Sequence, residues 1–307
     1  MTPLLCLMGP TAAGKTAAAE ALCKRFPLEV VSVDSALVYR GLDIGTAKPT
    51  PAQLRAMPHH LVDIIEPDQQ YSAGRFRDDA RAAIAAIEAR GLKPLLVGGT
   101  GLYFSALLDG LSALPPADPA VRAALEQELA ASDTQAMHRR LAEVDPASAA
   151  RIRPSDPQRI LRALEVCRIS GRPLSALQQG PAGSDVAAVR IALAPADRAV
   201  LHARIAARFD AMLAGGLINE TRALLTRCGH DRAPGLDIVG YRQVRSYLAG
   251  EIDRETLRAR GIAATRQLAK RQLTWLRRTP AVQWVDTEAS DALDRITALA
   301  AGSGCFD

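Results

Sequence analysis

The sequence predicts an α/β protein whose mostly parallel sheet, flanked by helices, is interrupted by an all-helical insertion. Three observations point there. GPTAAGKT at 9–16 has the form of a phosphate-binding loop and follows directly on an apolar run. Short β-branched runs then alternate with amphipathic stretches, the pattern of a parallel sheet with its ligands at the carboxyl ends of the strands. After Gly110 the strand signals stop, and Asp-Pro occurs three times, at 118–119, 145–146 and 156–157.

The elements follow in order. Leu4–Met8 reads as a buried strand, and TAAAEALCKRF after the glycine loop reads as a helix. This strand, loop and helix give a P-loop NTPase-like core its first unit. LEVVSV (28–33) is a second strand ending at Asp34-Ser35. RFRDDARAAIAAIEAR (75–90) places Phe76, Ala80, Ala83, Ile84 and Ile87 on one helix face, closed by Gly91. PLLV (94–97) is a third strand running into GGTGLY. Aspartate at N-cap with proline at N1 is a helix-start signature, so each Asp-Pro pair opens a helix. Val121, Leu125 and Leu129 then share a face, as do Ile160, Leu164 and Cys167. QQGPAGSD (178–185) reads as an exit linker, VRIALAP (189–195) as a returning strand and VQWVD (282–286) as a late one. The expected domains are a core of 1–111 with 189–307 and a helical insertion of 112–188.

Bulk composition excludes several classes. With 307 residues, 48% hydrophobic and 23% charged, the chain buries a substantial core. Its apolar runs fall short of the ~18 residues of a membrane helix, and LLCLM lacks a preceding basic segment, so the expectation is a cytoplasmic protein. Five scattered cysteines without a C-x-x-C pair argue against a disulfide framework or a cysteine zinc site, and the five histidines lack metal-ligand spacing.

The chemistry gathers at the strand ends. Gly9, Gly14, Lys15 and Thr16 satisfy G-x-x-x-x-G-K-[ST], with Pro10, Thr11, Ala12 and Ala13 between them. Backbone amides and a helix N-terminus form an anion nest, Lys15 reaches phosphate oxygens, and Thr16 can ligate Mg²⁺. Such a loop is specific for phosphate, not for ATP. An NTPase needs a further acid for the metal, and LLVGGTG supplies none; Asp34 or LVDIIE (61–66) could. Asp34 reads either as a turn aspartate or as a site carboxylate opposite the loop. GGTG (98–101) is either a bare turn or a turn that presents Thr100 to a substrate.

The cationic residues are unevenly spread. RETLRARGIAATRQLAKRQLTWLRR (254–278) holds eight Lys/Arg and one acid, with Arg266, Lys270 and Arg277 on one helix face and Leu268 and Trp275 on another. QRILRALEVCRISGR adds Gln158, Arg159 and Arg162 on the insertion. A solvated face is the ordinary reading of such a run. Two basic segments nearly free of acids instead suggest a polyanion held between them, with Gln158 placed to read a base.

Taken together, these residues resemble the bacterial tRNA dimethylallyltransferase (tRNA isopentenyltransferase) family. The resemblance runs from about residue 4 to residue 285 through GPTAAGKT, VDSALVYRGLDIGTAKP, PHHLVDIIEP, YSAGRF, GGTGLY, DPQRILRALEV, VGYRQ and RQLAKRQLTWLR. It implies transfer of a dimethylallyl group from dimethylallyl diphosphate to N6 of the adenosine 3′-adjacent to the anticodon, in tRNAs reading codons that begin with U. On that resemblance, residues 9–16, Lys15 above all, hold the donor's diphosphate, with Arg222 as an added cation and Mg²⁺ on Thr16. Asp34 is the general base and Thr100 orients the acceptor amine. The implied tRNA contacts are Asp34, Ser35, Ala36, Leu37, Thr100, Arg122, Gln158, Arg159, Ile160, Leu161, Arg162, Gly240, Tyr241, Arg242, Lys270, Arg271, Gln272, Trp275 and Arg277, and the adenine is flipped into the crevice. The partners implied are the tRNA anticodon stem-loop and dimethylallyl diphosphate, with no membrane and a monomeric protein. Ala13 stands where the family commonly has serine, which leaves the backbone nest intact. Leu37 replaces a frequent glutamine, and Asp237 and Ile238 occupy a region where relatives carry a basic residue, which bears on local tRNA contacts.

Three rivals use the same loop. A P-loop small-molecule kinase would turn over ATP without tRNA and leaves both basic segments unexplained. A non-catalytic nucleotide-sensing RNA-binding protein has no need of Asp34 and Thr100 beside the loop. A prenyltransferase acting on free adenine nucleotide has no need of an arginine-rich insertion.

Overall fold

A computed structural model describes residues 2–178, 186–230 and 233–306. The chain divides into two compact units, Met1–Leu108 with Val186–Asp307, and Asp109–Asp185. The first unit begins β1 (Leu4–Met8), α1 (Lys15–Arg25), β2 (Leu28–Val33), α2 (Pro51–Ala56), β3 (His59–His60), α3 (Ala73–Glu88), β4 (Lys93–Gly98) and α4 (Gly101–Leu108). The second holds α5 (Pro119–Ala130), α6 (Thr134–Val144), α7 (Pro146–Arg151), α8 (Pro157–Ser170) and α9 (Leu174–Leu177). The first unit resumes with β5 (Ala188–Ala194), α10 (Arg198–Ala214), α11 (Leu217–Cys228), a 3₁₀ turn (Pro234–Asp237), α12 (Tyr241–Leu248), α13 (Arg254–Leu276), β6 (Val282–Asp286) and α14 (Ala292–Ala301).

The six strands form one sheet in the order β3-β2-β4-β1-β5-β6, every pairing parallel. Strands buried on both faces read as continuous apolar runs, and β1 (LLCLM) is buried at all five positions. One face of the sheet packs through Val31, Val33, Phe76, Phe104 and Leu107, the other through Val30, Ala18, Ala19, Leu22 and Ile296. The mixed α/β class and the parallel sheet agree with the sequence expectation. β3 was not expected, because two residues are too few to carry an alternation. It exists by register, Val30 opposite His59 and Val31 opposite His60.

The insertion unit shows why Asp-Pro is a start signal. Asp118 Oδ1 accepts the amides of Ala120 (2.8 Å) and Val121, Asp145 Oδ1 that of Ser148 (3.0 Å), and Asp156 Oδ1 that of Arg159 (3.2 Å). Each carboxylate satisfies helix-start donors that have no partner within the helix, while the proline occupies a position that needs none. Asp145 is itself buried and also accepts the Ser175 amide and hydroxyl, hydrogen bonds that outweigh burial and hold its carboxyl below the usual range. Leu125, Met137, Leu141, Ile160, Leu161 and Leu164 form this unit's own core. Among the described residues of 109–178 there is no strand. The expected exit linker lies, but for Gln178, in 179–185, outside the described residues. Among the described residues no helix is long and apolar enough to cross a membrane.

Candidate active site

At the carboxyl ends of β1, β2 and β4 lies a cavity of about 380 Å³, within the range of small-molecule pockets. The phosphate loop makes one wall. Gly14 adopts φ +85°, a left-handed conformation that suits glycine, and α1 starts directly after it. Ala12 takes φ +62° without that freedom, a local strain of the kind held at functional loops. Thr11, Ala12, Lys15 and Thr16 line the cavity. Lys15 Nζ donates to the carbonyls of Gly9 (2.9 Å) and Pro10 (2.7 Å). Burial lowers Lys15 to about 8, with Asp34 pulling it up and Arg208 pushing it further down.

β2 delivers the opposite wall. Asp34 is half-buried, and its Oδ1 accepts the Ala36 amide at 2.8 Å, so it is a turn aspartate and a cavity residue at once. Ser35, Ala36 and Leu37 follow along the cavity wall. The Thr100 hydroxyl accepts the Ser35 amide at 3.0 Å and approaches Ser35 Oγ at 3.4 Å, which ties the β4 turn to the β2 turn. LVDIIE supplies no acid here. Asp63 pairs with Lys48, and Glu66 pairs with Arg40 at 3.1 Å. Asp34 and Asp237 are the acids of the cavity among the described residues.

α13 fixes the third side. Gln272 Oε1 accepts the Thr11 amide at 2.9 Å, and its Nε2 donates to the Gly99 carbonyl at 3.1 Å. A Cβ on Gly99 would lie 2.3 Å from that nitrogen, and one on Gly101 would lie 2.3 Å from the Trp275 ring. Two of the three glycines of GGTG thus make room for α13, and the third, Gly98, lies against Val33 of β2, where a Cβ would fall 2.0 Å from the carbonyl oxygen. Trp275 also stacks on Phe104, with centroids 6.1 Å apart.

Several expected site residues sit elsewhere. Arg222 is exposed on α11, its guanidinium on Asn219 Oδ1 at 2.8 Å, and it does not line the cavity. A half-buried cation that does is Arg208 of α10, bonded to the Thr46 carbonyl at 3.1 Å and held below the ordinary arginine range by burial. Its signal was present in the sequence. Leu201, Ile205, Arg208 and Met212 follow helical spacing, so an arginine interrupts an apolar stripe. Tyr241 is fully buried, its hydroxyl donating to Glu220 (2.6 Å) and accepting the Gly45 amide (3.1 Å), and so offers nothing to a base. Ile160 and Leu161 belong to the insertion core, and Arg162 spans the buried Glu165 (2.9 Å) and the Pro115 carbonyl (2.8 Å). Gln272 and Trp275 are occupied within the core unit as described.

The rest remain available. Gly240 and Arg242 line the cavity beside Asp237 and Ile238, with Arg242 donating to the Asp237 carbonyl at 2.7 Å. Lys270 and Arg271 stand exposed on α13, Arg271 also lining the cavity; Arg277 is exposed just past the helix end, and Gln158 and Arg159 are exposed on the first turn of α8. Arg122 pairs with Glu126 at 2.8 Å.

Comparison with known proteins gives this arrangement its family. The IPP transferase model matches residues 37–279, and an isopentenyl transferase model matches 2–64. The chain belongs to the IPP transferase family. Among family relatives, a tRNA dimethylallyltransferase of Ralstonia nicotianae is 56% identical over 304 residues, covering 96% of this chain and 94% of the relative. One of Thiobacillus denitrificans is 56% identical over 303 residues, covering 98% and 97%. The crystal structure of a tRNA isopentenylpyrophosphate transferase from Bacillus halodurans superposes with TM-score 0.72 at 36% identity, covering 99% of this chain and 97% of that one. A eukaryotic dimethylallyltransferase structure shares the fold, with TM-score 0.82 at 23% identity, covering 98% of this chain and 78% of that one.

Proposed function

We propose that this chain transfers a dimethylallyl group from dimethylallyl diphosphate to tRNA, at N6 of the adenosine 3′-adjacent to the anticodon in tRNAs reading codons that begin with U, and acts as a cytoplasmic monomer. The observation that carries the reading is one cavity holding both an anion nest backed by Lys15 and Arg208 and, across from it, Asp34. A nucleotide sensor uses the nest alone, and a small-molecule kinase, which would also use an acid here, leaves the exposed cations of α8 and α13 without a role. The named activity of relatives at 56% identity supports the same choice.

In this reading the loop amides, Lys15 and Arg208 bind the diphosphate and stabilise the charge it gathers as the C1–O bond breaks. N6 bonds to the freed C1, and the N6 proton passes to Asp34. Removing one preorganised donor of this type costs ~10²–10³-fold in rate. The cavity's donors fit Mg²⁺: hydroxyl and carboxylate oxygens from Thr16 and Asp34, with the buried Ser32 hydroxyl lacking any protein partner. Thr16 would hold the ion, which would supply charge neutralisation for the leaving diphosphate, while Asp34 beside it keeps its free oxygen for the N6 proton. Thr100 positions the acceptor amine. Lys270, Arg271 and Arg277, with Gln158 and Arg159 of the insertion, supply the contacts to the tRNA backbone.

Incubation of unmodified tRNA with labelled dimethylallyl diphosphate and Mg²⁺ tests the proposal. Label is expected in the RNA. ATP turnover without tRNA, and no label, would favour the kinase reading.

Lys15 sets a pH dependence. Its ammonium is held at about 8 in the free protein, and a bound polyanion favours the charged form. Above pH 8 binding therefore takes up a proton, and affinity for inorganic diphosphate falls as pH rises, by up to ~10-fold per unit. Lys15→Arg keeps its charge throughout, so the ratio of Kd values for the two proteins between pH 7 and 9.5 isolates the lysine from the titration of diphosphate itself. A flat ratio would remove Lys15 from the binding step.

A further inference from the structure

Ser32 poses a problem that packing does not solve. Its side chain is 2% exposed, and Oγ has no hydrogen-bond partner. Buried hydroxyls are nearly always paired, and an orphan in a functional cavity calls for a cause. An alanine would fill much the same space without the penalty.

Strand geometry shows where the hydroxyl faces. Side chains two apart on a strand share a face, so Ser32 stands with Val30 and Asp34. Val30 packs on that side against Ala18, Ala19 and Leu22 of α1. Ser32 thus faces the helix that begins in the phosphate loop, and it lines the same cavity as Lys15, Thr16 and Asp34. Its neighbours Val31 and Val33 point to the opposite face.

The missing partner must be small and rich in oxygen. A dimethylallyl tail carries no hydrogen-bonding atom beyond its diphosphate ester and cannot satisfy a hydroxyl. A hydrated divalent cation can. Mg²⁺ usually keeps several of its waters when it binds through one or two protein oxygens, and groups that orient the ligands around a metal govern its affinity.

We propose that the buried Ser32 hydroxyl, beside Thr16 and Asp34, completes a divalent-cation site in this cavity by accepting a hydrogen bond from a water of the ion's hydration shell. The inference rests on the diphosphate reading above. It assigns to Ser32 a positioning role and no contact with the reacting atoms.

Wild type, Ser32→Ala and Ser32→Thr are titrated with Mn²⁺ in the presence of inorganic diphosphate, and free Mn²⁺ is read by electron paramagnetic resonance. Diphosphate binding in EDTA and the Tm without ligands are measured on the same proteins. Ser32→Ala is expected to weaken Mn²⁺ binding by about 10–100-fold, to leave metal-free diphosphate binding within about twofold, and to raise the apo Tm by about 3 °C through loss of the orphan hydroxyl. Ser32→Thr, which keeps the hydroxyl, restores Mn²⁺ binding. A fold defect cannot combine a higher Tm with weaker metal binding. Mn²⁺ affinity unchanged in Ser32→Ala overturns the proposal, leaving the hydroxyl to a trapped water only. An equal loss of diphosphate binding in EDTA also overturns it, placing the hydroxyl on the anion. Failure of wild type to bind diphosphate at all would instead sink the reading of the loop, and this inference with it.

Discussion

Asp34→Asn lowers the single-turnover rate of prenyl transfer to tRNA by about 10²–10⁴-fold, the range for loss of a general base. The acceptor makes the base necessary. The lone pair of an adenine amine is delocalised into the ring, so bond formation must be accompanied by removal of a proton. The carboxylate has two jobs in the structure. Oδ1 accepts the Ala36 amide and holds the turn after β2, while Oδ2 takes no hydrogen bond among the described residues and lies in the cavity wall. Asparagine keeps the oxygen that the turn needs and removes the basicity. Alanine removes both. If Asn and Ala are equally slow and only Ala loses stability, the catalytic and structural jobs separate. An Asn variant with near-normal turnover would return Asp34 to the turn and require another base. Asp237, the cavity's other acid, has its carboxylate on Arg245 at 3.3 Å and its carbonyl on Arg242.

What was legible in the sequence follows from the range of the interactions involved. The loop, β1, β2, β4 and the three Asp-capped helices rest on contacts within a few residues, so their signals are local. β3 exists only by pairing with β2 across about thirty residues, and no window of two residues carries that information. Tyr241 shows the same limit from the other side. The resemblance carried by VGYRQ implies Tyr241 as a tRNA contact, yet the ring is enclosed because Gly45 has no side chain to exclude it, a Cβ there falling 2.5 Å from the ring. Arg222 and Arg208 illustrate a subtler loss. Both are helix arginines in the second half of the chain, and only the apolar stripe around Arg208 distinguishes the buried cation from the exposed one.

Gln272→Leu separates two readings of α13 that the sequence could not. Were this side chain a tRNA contact, its loss would raise KM for tRNA and leave use of the donor alone. The geometry requires the reverse. Both ends of the amide are committed, Oε1 to the Thr11 amide at 2.9 Å and Nε2 to the Gly99 carbonyl at 3.1 Å. Leucine leaves both backbone groups without a partner, in a region only partly open to water. Two such losses amount to about 2–3 kcal/mol, so kcat/KM for dimethylallyl diphosphate is expected to fall roughly 30–150-fold while KM for tRNA moves within about threefold. Lys270→Ala acts as the contrast, since loss of an exposed cation on the same helix that does not line the cavity should weaken tRNA binding and flatten its salt dependence. Gln272→Glu is harsher than leucine. One oxygen still accepts from Thr11, but the other faces the Gly99 carbonyl, and a negative charge is brought to the loop that must bind diphosphate. The fall should therefore deepen with Glu although its shape matches glutamine. A selective rise in KM for tRNA in Gln272→Leu would mean that the amide releases the loop to contact RNA. The phosphate loop would then depend on its own sequence alone for its shape.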